Sequence, residues 1–360
     1  DDRFLHQGRK GHEKSGYNQG GQIERSDMKI LVTGGAGYVG SVVAEELVAR
    51  GHVVTIVDNL QQGHREAVPP GAKLMVADIQ QGEALDEIFR QTRFDAVMHL
   101  AAETVIEYSV TDPGRYFQNN ITGGLNLLDT MLKYDVRRFI FSSSAAVYGE
   151  PESTPIAESH PLRPVNAYGE SKLIFERILD WYGKAYGLQH ISFRYFNAAG
   201  SSKCLGEDRR PETHLIPNVL DAALNNDCQV KIFGTDYPTR DGTCVRDYVH
   251  VVDIARAHLL GLERLAEYSG RAYNLGNGEG YSVLEVIAAA ERVTGARLQT
   301  VACPRRDGDP ATLVASSERA RRELGWQVKY PDINTIISSA WQWRKEHPRG
   351  YAGQRTTSAR

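Results

Sequence analysis

Short apolar runs alternate with amphipathic stretches over the first half of the chain. KILVTGG (29–35) reads as a buried strand entering a glycine turn. Val39, Val43 and Leu47 then recur at helical spacing, with a predicted helix end near Gly51. VVTIVD (53–58), KLMVAD (73–78), AVMHLAA (96–102), RFIFSSS (138–144) and HISFRYF (190–196) predict further strands, and GEALDEIFRQ (82–91) and GGLNLLDTMLKY (123–134) predict helices between them. Strands that are apolar throughout, separated by helices, predict an α/β fold: a doubly wound parallel sheet covered on both faces.

The rhythm is lost after Asn197. Residues 198–242 are rich in Gly, Pro and polar residues and predict an inserted or appended unit. Strand-then-helix character resumes in VRDYVHVVDIARAHLLGLERL, and RAYNLG (271–276) predicts one more strand. The expected organisation is a first domain over 28–197 with return segments near 243–276, a smaller, mainly C-terminal α/β domain over 198–351, and a tail over 352–360. Residues 1–27 are polar, Gly-rich and aperiodic, and are expected to be a leader or disordered tail preceding a start at Met28.

Composition narrows the function classes. The net charge of −3 gives no basic surplus for a nucleic-acid partner. No apolar run approaches the length of a membrane span. The four cysteines form no C-x-x-C pair and the eleven histidines show no ligand spacing, so no metal is expected and a reduced, cytoplasmic setting follows.

The chemistry begins at Gly34-Gly35-Ala36-Gly37-Tyr38-Val39-Gly40. These glycines permit a tight turn and a close approach of backbone to a pyrophosphate, at the N-terminus of the following helix. Asp58 ends the next strand, placed to accept from ribose hydroxyls and to repel a 2′-phosphate, which favours NAD over NADP. Asp78 ends the third strand in the same manner. Ser142-Ser143-Ser144 closes a later strand, and Tyr168 and Lys172 follow at i and i+4 on one predicted helix face. A Y-x-x-x-K pair alone is common on surfaces; downstream of a dinucleotide fold and a serine-rich strand end it becomes specific.

TGGAGYVG, VDNL, HLAA, SSSAAVYG, YGESK, RYFNAAG, ETHLIP, IFGTDYPTRDGTCVRDY and RRDGDPATLVAS stand in the order found in the UDP-glucose 4-epimerase family, within the extended short-chain dehydrogenases/reductases, which the chain resembles from Met28 to about Tyr351. The resemblance implies an isomerase that oxidises C4 of a UDP-sugar with bound NAD, turns the 4-keto sugar over and returns the hydride. Tyr168 is then the acid/base, Lys172 holds the nicotinamide ribose and lowers the Tyr168 pKa, and Ser144 bonds the 4-oxygen. Moving a tyrosine from about 10 to near 7 needs roughly 4 kcal/mol. A lysine ammonium about 5 Å away supplies on the order of 3 kcal/mol of that.

Implied cofactor contacts are Gly34, Gly37, Tyr38, Val39 and Gly40 at the pyrophosphate, Asp58 and Asn59 at the ribose, Asp78 and Ile79 at adenine, and Leu100, Ala101, Ala102, Asn119 and Ser142 along the crevice. Implied substrate contacts are Asn197, His214, Leu215, Phe233, Tyr248 and Asp309, with Arg246 and Arg306 on the pyrophosphate and Leu313 closing the sugar end. Leu313 is intermediate in size, which leaves UDP-N-acetylhexosamines as further substrates. Thr104 stands where the family often has Lys, and Ala146 where it often has Thr. A homodimer is also implied. A 4-epimerase of UDP-pentoses or UDP-uronates, a sugar-nucleotide 4,6-dehydratase, a net oxidoreductase and a non-enzymatic NAD sensor remain as alternatives. The dehydratase would need carboxyl groups where this chain has Ala145-Ala146.

Overall fold

In the computed structural model, which describes residues 27–225, 229–306 and 308–354, alternate positions of the first strand serve two different cores. Ile30 and Val32 of β1 (Lys29–Thr33) pack with Val43 and Leu47 of the helix Tyr38–Ala49 and with Ile254 and Leu259 of the helix Val251–Glu263. Leu31, between them, packs on the opposite face with Leu85, Phe89, Leu127 and Phe175, from the helices Gly82–Gln91, Gly124–Lys133 and Ala167–Tyr186. A strand buried on both faces has no polar side to present, and this is why the run is apolar throughout.

β2 (Val53–Asp58), β3 (Lys73–Val76), β4 (Ala96–His99), β5 (Arg138–Ser144) and β6 (Gln189–Tyr195) follow, then β7 (Asn197–Ala199), β8 (Gln229–Phe233), β9 (Val245–His250), β10 (Arg271–Leu275), β11 (Gly280–Ser282), β12 (Gln299–Cys303) and β13 (Thr312–Leu313). The main sheet is wholly parallel, in the order β10-β6-β5-β4-β1-β2-β3. The strand order reverses at β1, so the crevice lies between the ends of β1 and β4, where doubly wound sheets bind nucleotides.

The chain leaves this sheet at Phe196. β7 pairs with β9 in a second sheet that also holds β11 and β13, and β12 pairs with β8 alone. Within the expected return segment 243–276, β10 joins the main sheet and the helix Val251–Glu263 covers its face, whereas β9 stays in the second sheet. A further return, not legible in the sequence pattern, brings Ala320, Leu324 and the fully buried Trp326 back to the first core, where Trp326 Nε1 donates to the Asp253 carbonyl at 2.8 Å. The second domain has its own core of Ile216, Val219, Ile232, Val286, Ile336 and neighbours.

Four histidines, His99, His190, His250 and His258, are buried among the described residues, and burial lowers His190 below its ordinary value. Burial pulls His99 down to about 3, with the nearby Lys172 charge adding to it, and pulls His250 and His258 down to about 4. Each is neutral in the fold and takes a proton in the unfolded chain below its ordinary value near 6.5. Each therefore costs about 1.4 kcal/mol of stability per pH unit as pH falls from 6.5 towards the folded value, and none above 6.5. The urea midpoint is expected to be flat from pH 8 to 7 and to fall steeply between pH 6.5 and 5. A midpoint unchanged at pH 5 would contradict neutral burial of these rings.

Candidate active site

The glycine turn is fixed by close approaches. Gly34 has φ +70°, and a Cβ there would come within 2.5 Å of the Ala101 nitrogen. At Gly40 a Cβ would meet the Gly34 carbonyl oxygen at 2.1 Å, so only glycine lets the helix Tyr38–Ala49 start hard against the strand. Asp58 accepts from the Ala36 and Leu60 N–H groups at 3.0 and 2.9 Å, and so ties the end of β2 to the turn. A Cβ at Gly63 would sit 2.8 Å from the Asp58 carboxylate, and the absence of that atom keeps the space beside it open. These glycines and this acid fit a dinucleotide without a 2′-phosphate.

Gly34, Gly37, Tyr38, Val39, Gly40, Asp58, Asn59, Ile79, Leu100, Ala101, Ala102, Asn119 and Ser142 all line one cleft of about 1360 Å³. Asp78 is set back from it. Its carboxylate accepts from Asn59 Nδ2 at 3.0 Å and from the Gln80 N–H at 2.8 Å, so it orients Asn59 and caps the loop. Tyr38 donates its hydroxyl proton to the Gly200 carbonyl at 2.6 Å, joining the cofactor turn to the second domain.

The same cleft contains Ser144, Tyr168 and Lys172. The helix Ala167–Tyr186 starts at Asn166, whose side chain caps the Gly169 N–H at 2.9 Å. A Cβ at Gly169 would lie 2.5 Å from the Ala146 carbonyl oxygen, so glycine there lets the helix start press on the turn that follows Ser144. That contact brings Tyr168 to Ser144. One turn on, Lys172 is buried: its ammonium donates to the Ser142 carbonyl at 2.8 Å and lies 5.0 Å from the Phe141 ring centre and 5.9 Å from that of Tyr168. Ser142 shares a short hydrogen bond with the Tyr195 hydroxyl.

Burial dominates the electrostatics of this pair. Burial raises the Tyr168 pKa above its ordinary value; the Ser144 hydrogen bond and the Arg209 charge pull it down without overcoming burial. Burial likewise lowers Lys172 to about 7, against the pull of Glu176. Desolvation disfavours both charged forms.

The second domain supplies the rest of the cleft. Arg246 and Tyr248 sit on one face of β9, and register places Asn197 beside Tyr248 and Leu313 beside Arg246. Asn197, His214, Leu215, Phe233, Arg246, Tyr248, Arg306, Asp309 and Leu313 all line it. Both arginines expected at a pyrophosphate have carboxylate partners: Arg246 bonds Asp309, and Arg306 lies 3.2 Å from Glu107 with its guanidinium 4.1 Å over the Phe233 ring.

Glu207, Glu212 and Arg209 were missed by sequence reasoning, and they gather round His214, which was expected among the substrate contacts. Glu207, Glu212 and His214 bring ligand-type atoms within 4.8 Å of one another, and Arg209 is the cation beside them. His214 Nδ1 pairs with Glu207 at 2.6 Å, and Arg209 bonds His214 Nε2 at 2.8 Å and the Thr104 hydroxyl at 2.7 Å. Only the GEDRRPETH loop carries this group in sequence, and nothing local signals what it meets.

A dinucleotide crevice that ends on a serine, a buried lysine and a tyrosine, and opens into an arginine-lined second domain, defines a cofactor-dependent enzyme acting on a substrate with an anionic group. The chain belongs to the NAD dependent epimerase/dehydratase family, which it matches over residues 30–276. It is 49% identical over 329 residues to the UDP-glucose 4-epimerase of Halalkalibacterium halodurans, covering 90% of this chain and 98% of that protein. Among solved structures, it superimposes on a UDP-glucose 4-epimerase crystal structure with a TM-score of 0.87 at 47% identity, covering 90% of this chain and 99% of that one. It also superimposes on UDP-glucose 4-epimerase from Bifidobacterium longum in complex with NAD+ and UDP, with a TM-score of 0.85 at 36% identity, covering 89% and 99%.

Proposed function

We propose that the protein is an NAD-dependent isomerase that interconverts UDP-glucose and UDP-galactose at C4. The observation that carries this reading is the placement of Ser144, Tyr168 and Lys172 where the nucleotide crevice meets the cleft lined by Arg246 and Arg306. The B. longum relative holds NAD+ and UDP together, which supports a shared cleft for both. Bound NAD supplies a hydride acceptor that gives the hydride back, so the sugar changes configuration without net oxidation.

The chain's own residues then have separable tasks. Tyr168 takes the proton of the sugar 4-hydroxyl and returns it, with Ser144 hydrogen-bonded to it as the proton moves. Lys172, anchored on the Ser142 carbonyl, is fixed in place by a buried partner and two aromatic rings. Arg246 and Arg306 exchange Asp309 and Glu107 for substrate phosphate, which a guanidinium grips in a bidentate manner. The turn after Ser144 is Ala145–Val147, with no carboxyl group to drive the elimination a dehydratase requires.

Proton NMR of UDP-galactose with the purified protein and no added NAD tests the proposal. UDP-glucose anomeric signals are expected. No conversion even after NAD is supplied would overturn it in favour of another UDP-sugar.

Leu313 packs beside Phe196 and Tyr148 at the sugar end. UDP-N-acetylgalactosamine is therefore also expected to turn over, and Leu313→Tyr to lower its kcat/KM by at least tenfold while changing that for UDP-galactose by less than threefold. An inert N-acetylated substrate with the native protein would remove this part. One tenfold step equals about 1.4 kcal/mol, within what a filled pocket costs.

A homodimer is supported by exposed aromatic surface on the helix Ala167–Tyr186, where Trp181 is 68% and Tyr186 52% exposed. Among the described residues no helix is long and apolar enough to cross a membrane, and Cys204, Cys244 and Cys303 are free thiols, which supports a cytoplasmic setting.

A further inference from the structure

The loop that follows β2 is held in a shape it would not keep alone. Leu60 has φ +59°, in the left-handed region that is uncommon for a residue with a side chain. Asp58 fixes it by accepting from the Leu60 N–H at 2.9 Å, and the His64 N–H donates to the Ala36 carbonyl of the glycine turn at 2.9 Å. Asn59, Gln61, Gln62 and Gly63 of this loop line the cleft. These ties stay within the first domain, but the His64 ring leaves it. Its Nε2 donates to the Asp208 carbonyl at 3.0 Å, on the loop that runs from β7 into the second domain. Asp208 lines the same cleft.

The receiving side is braced from behind. The Asp208 carboxylate accepts from the Tyr351 N–H at 2.9 Å, and a Cβ at Gly350 would fall 2.0 Å from that carboxylate. Tyr351 is buried, and its hydroxyl donates to the Gly206 carbonyl at 3.2 Å and accepts from the Gly206 N–H at 3.1 Å. Its ring centre lies 5.1 Å from that of His64 and 5.2 Å from that of Trp343. The C-terminal turn Gly350–Gln354 and the helix Ile333–Glu346 thus support the point at which the two loops meet.

We propose that His64 is a positioning residue for cofactor retention: with Asp208 and Tyr351 it forms a clasp that fastens the loop beside Asp58 to the second domain while NAD is bound. The need follows from the chemistry. A cofactor that takes a hydride and gives it back is regenerated in every cycle, so it has to stay while the sugar nucleotide comes and goes. Asp58 can hold a ribose only as long as the loop beside it keeps its place. The clasp rests on NAD as the cofactor and not on which sugar is turned over.

The test is the rate at which bound NAD exchanges for isotopically labelled NAD at pH 8, read after gel filtration with no sugar present. His64→Ala is expected to exchange about tenfold faster than the native protein, the size of one lost hydrogen bond with its ring contact. His64→Gln, whose amide nitrogen can reach the same carbonyl, is expected to restore most of the retention. Asp208→Ala, which removes the brace to Tyr351 and keeps the carbonyl, is expected to speed exchange less. His64 is partly exposed, so the melting midpoint of the NAD-free variant is expected to match the native one. With NAD in excess, kcat is expected to return to the native value. Exchange unchanged in His64→Ala, or faster exchange that His64→Gln does not reverse, overturns the proposal. A low kcat that added NAD does not restore also overturns it, because His64 would then act in turnover. If His64→Ala does not fold, the exchange rate of Asp208→Ala decides.

Discussion

Tyr168→Phe is expected to reduce UDP-galactose turnover by at least about 10³-fold, within the range that a positioned general acid/base contributes. The substitution removes one oxygen. The ring remains to pack at the start of its helix, and the contacts that set that start, the Asn166 cap and the close approach of Gly169 to Ala146, are untouched. Retained NAD and the thermal midpoint are therefore expected to match the native protein. The discriminating pair of measurements is single-turnover epimerisation and cofactor content after gel filtration. A loss below tenfold would mean that another group moves the proton. Loss of NAD together with activity would mean that Tyr168 holds the cofactor more than it acts on the sugar.

Glu176→Gln is expected to cost about 3–5 kcal/mol of stability, the usual price of leaving one member of a buried ion pair without its partner. Glu176 stands one turn after Lys172 and is buried, and its carboxylate accepts from Arg194 through two guanidinium nitrogens and from the Ser143 hydroxyl. Arg194, 5% exposed on β6, continues to the Tyr148 hydroxyl at 3.0 Å, which donates to Asn274 on β10 at 2.6 Å. One network thus links the Tyr168 helix to β5, β6 and β10. Glutamine keeps the shape and one acceptor but no charge, so Arg194 would be left as a buried cation. Urea unfolding of the two proteins at pH 8 measures the difference, and a change under 1 kcal/mol would show that water or a neighbour compensates the arginine. Lys172 would also lose the carboxylate that opposes its discharge, so its pKa should fall further below about 7.

Much of the site was legible before any contact was known, and the residues show why. The glycine turn, the helix after it and Asp58 depend on positive φ, on helix-start geometry and on a strand of six residues, all local properties that neighbours in sequence dictate. Tyr168 and Lys172 share a helix face because helical spacing puts i and i+4 together. The resemblance then carried the substrate set, because its motifs stand in order along the chain. The cleft gathers all of these positions except Asp78, whose carboxylate turns to Asn59 and the loop backbone. A strand-end acid looks the same in sequence whether it faces the crevice or caps its own loop.

What remained hidden depends on partners distant in sequence. Alternation and turn chemistry determined the strands, the two-sided burial of the sheet and the position of the phosphate turn. They did not determine that β9 would stay with β7 while β10, twenty-odd residues later, returned to the main sheet, because both runs mix apolar and polar residues and neither pattern marks its sheet. Nor did they determine that Arg209 would meet Thr104 or that Arg306 would pair with Glu107. A charged side chain in a loop carries no periodicity, and its partner is selected only when two domains close on one another. The protonation of Tyr168 belongs to the same class. Sequence supplies the phenol and the lysine, whereas burial, which exists only in the folded protein, shifts both towards their neutral forms.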